Sequence, residues 1–151
     1  MDTIVSGVHG KGGLLVLIER QTRFYLIAKL RRINQLEVLR ALRTLIRGGQ
    51  MKAVLSLTTD NGGEFLGPQR IETLFPRPNP LLKVYYPPAY PAGEKGSVEN
   101  ANRHVRRWFP KGTDFSRVSA RAIQALQVFI NSIPRQTLQG ASAHEAVRAA
   151  A

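Results

Sequence analysis

Two β-rich runs, Leu14–Glu19 and Phe24–Leu30, are separated by only the four polar residues Arg20–Arg23. A connection that short joins antiparallel neighbours, because parallel strands need a crossover of about a dozen residues or more. A further run over residues 2–6 precedes them across the glycine-rich stretch Ser6–Gly13, so the chain opens as a three-stranded meander. That stretch is a turn and not a phosphate-cradling loop, since Lys11 is followed by Gly12 where Ser or Thr is required. The periodicity then changes. Asn34 and Glu37 have capping-box spacing and open a helix that Gly48-Gly49 ends, with an apolar stripe of Leu36, Leu39, Leu42, Leu45 and Ile46. Val54–Thr59 reads as a buried strand delivering Asp60 at its end. Pro68 suits the first turn of a short helix packing Ile71, Leu74 and Phe75. Pro76–Pro80 leads into a last strand, Leu82–Tyr86.

The rest is helical. After the aperiodic stretch Pro87–Gly96, Ser97 is an N-cap for a helix with the stripe Val98, Ala101, Val105 and Trp108, stopped by Pro110. A helix over Ser119–Ile133 carries Ile123, Leu126, Phe129, Ile130 and Ile133 inward, and Ser142 with Glu145 forms the capping box of a final one. This order predicts an α/β fold: a mixed five-stranded sheet, three antiparallel strands plus two parallel ones reached by crossovers, flanked by helices. With no internal repeat or linker, residues 1–151 read as a single domain.

Charge narrows the partner. Lys and Arg number 22 against 10 acids, a formal net charge of +12, while 43% hydrophobic residues exclude a disordered basic tail. Such an excess fits a polyanion, nucleic acid before membrane, since no basic amphipathic helix with bulky aromatics stands out. Without cysteine there is no disulfide, thiolate metal site or cysteine nucleophile. No signal-peptide pattern and no apolar run near the ~20 residues of a membrane span are present, so the expected location is cytoplasmic and nucleoid-associated.

In so basic a chain, three acids stand out: Asp2 on the first strand, Asp60 after the fourth, and Glu99 early in a helix. Phosphodiester cleavage must stabilise both an attacking and a leaving oxygen, and two hard cations ~3.5–4 Å apart do so. Magnesium takes oxygen ligands and keeps waters, so a few carboxylates suffice to hold it. Positions 99, 102, 103 and 106 share a helix face reading Glu, Asn, Arg, Arg, which sets Arg103 and Arg106 where phosphates would approach. On spacing alone, a plain Glu99–Arg103 surface pair at i,i+4 is the competing reading. Arg40, Arg43 and Arg47 form either a solvated face or a DNA contact. Glu64 reads as support for Asp60 or as the N-terminal charge of a short helix. The three histidines are isolated.

Taken in order, Asp2-Thr3-Ile4-Val5, Leu15–Thr22 followed by Arg23, Asp60-Asn61-Gly62 with Glu64-Phe65, Glu99-Asn100 with Asn102, and Phe109–Phe115 resemble the catalytic core of insertion-sequence transposases of the IS-thirty type. These belong to the DDE transposase and retroviral integrase superfamily. Asn131, Pro134-Arg135 and Thr137-Leu138 extend the resemblance over nearly the whole chain. It implies an RNase H-like fold and DNA strand cleavage and transfer at a triad of Asp2, Asp60 and Glu99. It also implies magnesium or manganese, two ions, as cofactor, and transposon ends and target DNA as partners. Asn102, Arg103, Arg106 and Lys95 are the expected DNA contacts, and a homodimer is left open. Three departures are visible: Met1 alone precedes the first Asp, 38 residues separate Asp60 from Glu99, and Ala92 stands where the family has Trp. The upstream end-recognition domain is missing, so the chain reads as an excised core; the alternative is a catalytically inactive, DNA-binding remnant.

Overall fold

Strand β2 (Gly13–Ile18) lies between β1 (Asp2–Val5) and β3 (Tyr25–Leu30), antiparallel to both, with Asp2 opposite Val16 and Val16 opposite Ile27. The computed structural model describes residues 1–51, 54–75, 82–86 and 95–150, with the backbone alone over 95–101. Successive side chains of a strand point to opposite faces, and β2 is apolar on both. Leu15 and Leu17 pack with Leu30, Val38, Leu42, Leu57, Phe65 and Ile71. Leu14 and Val16 pack with Ile4, Tyr25, Ile27, Val105, Phe115, Ile123, Leu126 and Ile130. The sheet is therefore sandwiched between α1 (Gln35–Arg47) on one side and α3 (Lys95–Trp108) with α4 (Ala120–Ser132) on the other. Each fully buried leucine contributes about 1.5–3 kcal/mol.

The open edge of β3 is closed by α4. Asn131, fully buried, accepts from Tyr25 N at 2.8 Å and donates to Tyr25 O at 2.9 Å. Gln127 accepts from Ile27 N at 2.7 Å. The spacing matches: four helical residues rise ~6 Å and two strand residues ~6.6 Å, so an i,i+4 pair of amides meets an i,i+2 pair of backbone groups.

The expected parallel pair is β4 (Ser56–Thr58) with β5 (Lys83–Tyr85), joined through a 3-10 turn at Gly63–Phe65 and α2 (Pro68–Glu72), which has Pro68 in its first turn. Both strands are shorter than their apolar runs. The Met1 amine donates to Thr58 O and so links β1 to β4.

Several local expectations need correcting. The buried face of α1 is Val38, Ala41, Leu42 and Leu45, and Leu36 is 56% exposed. The smaller Val38 and Ala41 let the helix approach the sheet, which turns Leu36 outward. Asn34 caps α1 by accepting from Glu37 N at 2.9 Å, whereas the Glu37 carboxylate accepts from Arg31 N and Arg40 instead of closing the box. Helix α3 begins at Lys95, so Ser97 lies inside it and is not its cap. Phe129 faces outward and packs against Trp108, ring centroids 5.2 Å apart and planes tilted by 43°. The capping box of Ser142 and Glu145 is formed as expected on α5 (Ala143–Ala149). Pro76–Pro80 and residues 87–94 lie outside the described residues.

Candidate active site

Strand alternation decides what surrounds Asp2. Ile4, two residues on, belongs to the α3–α4 side of the core, so Asp2 faces that side too. There Asn102 Nδ2 donates to Asp2 Oδ2 at 2.7 Å, while Thr3 N donates to Oδ1 at 2.7 Å. Each carboxylate oxygen accepts one bond and keeps a lone pair. Asn102 Oδ1 is buried with no hydrogen-bond partner among the described residues. An orphaned amide oxygen beside a carboxylate is a hard-oxygen donor set, which fits magnesium or manganese.

Asp60 is exposed and follows β4 directly. Its Oδ1 accepts from Gly62 N at 3.1 Å, which folds the turn back on the carboxylate. Burial lowers the pKa of the Met1 amine, and the charges of Asp2 and Asp60 both oppose that shift. The two carboxylates thus bear on one nitrogen at the β1–β4 junction. The turn beyond Asp60 is anchored by fully buried Phe65, whose carbonyl accepts from Tyr86 Oη at 2.5 Å, and by Gln35 Nε2, which donates to Leu66 O.

The expected DNA contacts are distributed along α3. Arg103 is exposed. Arg106 donates to Val5 O at 3.0 Å and Pro110 O at 3.4 Å, ties the end of β1 to the end of α3, and has its pKa lowered by burial. The backbone positions of Lys95 and Glu99 are in α3, and their side chains lie outside the described residues.

No model of a known protein family matches the sequence. The transposase for insertion sequence element IS4351 of Bacteroides fragilis is 31% identical over 139 residues, covering 91% of this chain and 40% of that protein. Transposase InsI for insertion sequence element IS30A of Escherichia coli is 26% identical over 136 residues, covering 90% and 34%. This chain is a homologue of the insertion-sequence transposases.

It spans about two fifths or less of the length of those transposases. Its fold is that of a retroviral integrase catalytic core. The catalytic core domain of BIV integrase superposes with a TM-score of 0.67 at 20% identity, covering 95% of this chain and 90% of that one. The HTLV-2 integrase catalytic core domain in complex with magnesium gives 0.66 at 17% identity, covering 95% and 92%. In this transposase homologue Asp2 and Asp60 flank the β1–β4 junction, where the Met1 amine donates to Thr58 O, and Asn102 is the described contact from α3 to Asp2. Among the described residues, no group of three or more His, Asp or Glu side chains is assembled that could hold a metal. Reading the sequence did not single out Thr3 or Tyr86. Thr3 carried a usable signal, since alternation sends it to the face opposite Asp2; Tyr86 carried none.

Proposed function

We propose that this chain is the catalytic core of a transposase that cleaves and joins DNA strands with divalent magnesium or manganese held by Asp2, Asp60 and Glu99. The observation that carries this reading is the Asn102–Asp2 hydrogen bond. It brings α3 against β1, and position 99 lies one helical turn before Asn102. When bound, such ions supply the charge that activates the attacking oxygen and stabilises the leaving one in an in-line displacement at phosphorus. Asp2 and Asp60 would hold them with the lone pairs left free by Thr3 N, Asn102 Nδ2 and Gly62 N. Arg103, Arg106 and Lys95 would then meet phosphates entering along α3, with Arg106 fixed in place by Val5 O. The cation excess draws in duplex DNA with little regard for sequence. The DNA would be both transposon end and target, acted on in the cytoplasm by a homodimer. Among the described residues no helix is long and apolar enough to cross a membrane.

The test is strand cleavage and transfer on pre-nicked donor duplexes with manganese or magnesium. Asp2→Asn, Asp60→Asn and Glu99→Gln should each lose activity by several orders of magnitude while keeping the native circular dichroism. A variant that retains full activity removes its residue from the site.

A further inference from the structure

Glu64 fits the first of its two sequence readings, support for Asp60, through a partner that the sequence did not name. It lies in the 3-10 turn Gly63–Phe65, yet no side chain caps that turn. Its Oε1 instead accepts from Thr3 Oγ1 at 2.5 Å, across 61 residues of sequence. Thr3 follows Asp2 on β1, so its side chain leaves the strand on the face away from Asn102, towards the α1 side. A carboxylate bonded there is held on the strand face away from Asn102, where it can fix how the Asp60 turn sits against β1.

Gly62 shows how closely the two acids of that turn approach. A Cβ at Gly62 would stand 2.8 Å from Glu64 Oε2, 3.0 Å from Glu64 Cδ and 3.1 Å from Asp60 Oδ1. Glu64 cannot swing aside to admit it without releasing Thr3. The glycine is therefore the space that lets Glu64 lie beside Asp60 while bonded to β1. The backbone beneath is already held by Phe65 in the core, by Tyr86 Oη and by Gln35. The side-chain bond from Glu64 to Thr3 relates this anchored turn to the strand that carries Asp2.

We propose that Glu64 is a positioning residue which, through the Thr3 hydroxyl, fixes the Asp60 turn against β1 and so sets the relation of the first two carboxylates; this rests on the metal-binding reading above. The measurement is manganese affinity, followed by the electron paramagnetic resonance signal of free Mn2+ on the full 151-residue chain. Glu64→Ala and Thr3→Val should each weaken binding by roughly 10- to 100-fold, the usual effect of losing a group that orients a metal ligand. The double variant should be no weaker than the weaker single one, because both remove the same bond. Glu64→Gln and Thr3→Ser keep an acceptor and a hydroxyl, and should bind within about threefold of the parent, well short of that loss.

Parent-like affinity in both Glu64→Ala and Thr3→Val overturns the proposal. So does an equal loss in Glu64→Gln and Glu64→Ala with none in Thr3→Val, which would make Glu64 a ligand. Asp60→Asn separates this from the wider reading. If that variant loses manganese while Glu64→Ala and Thr3→Val do not, only the positioning role falls. If it keeps manganese, the metal site itself is misread and the positioning role falls with it.

Discussion

The two carboxylates that flank the β1–β4 junction come from halves of the molecule built in different ways. Asp2 belongs to a meander whose central strand is buried on both faces and whose β3 edge is closed by Gln127 and Asn131. Asp60 belongs to a pair of three-residue strands in which Ser56, Lys83 and Tyr85 are exposed and Leu57 supplies the buried side chain. Leu57, Phe65, Ile71, Phe75 and Leu82 anchor that half in the α1-side core, and its turns are held by hydrogen bonds of Tyr86 to Phe65 O, of Gln35 to Leu66 O, and of Val84 N to Glu72 at 3.0 Å. Regions with fewer buried contacts open at lower free energy. In the proposed site Asp2 is thus the more fixed reference, and Asp60 the member whose position depends more on polar bonds.

The contrast can be broken most forcefully at Asn131. Asn131→Leu preserves bulk but strands the N–H and C=O of Tyr25 in the core, and should cost about 3 kcal/mol in urea unfolding. Its effect should be global, with amide protection lost together throughout β1–β3. A cost below about 1 kcal/mol would mean that β3 does not need its edge closed.

Tyr86→Phe should act more weakly and locally. Removing the hydroxyl from Phe65 O should cost about 1 kcal/mol, with faster hydrogen exchange confined to the Asp60–Leu66 turn. If exchange rises equally in β2, the two halves open as one unit and the comparison fails.

The smallest effect concerns acid. The Asp114 carboxyl lies below its ordinary 3.8 because Lys11 N and then Ser116 donate to it. The Glu145 carboxyl lies below its ordinary 4.5 because the Ser142 hydroxyl and backbone donate to it. A folded pKa below the unfolded one means that the unfolded chain binds more protons in this range. The stabilisation is complete above the ordinary values and disappears as pH falls through the depressed ones. An Asp114→Asn, Glu145→Gln variant should therefore show a shallower fall in melting temperature below about pH 4.5. An unchanged slope would assign acid sensitivity to other carboxylates.

What the sequence determined alone was the order and kind of the elements. The meander, the Pro68 start of α2 and the Ser142–Glu145 box are all signalled within a few residues, because turns and caps are short-range hydrogen-bonding problems. The ordered motifs also carried the transposase resemblance, which depends on residue identity and sequence order. Tertiary structure decided which face of α1 is buried, that Asn102 is bonded to Asp2 across 100 residues, that Glu64 reaches Thr3, and that Asn131 closes β3 from 106 residues away. Asn, Glu and Thr have the same local preferences whether they face solvent or a partner strand. Only when packing on both faces of β2 sets the distances between elements does each of these polar groups acquire its partner.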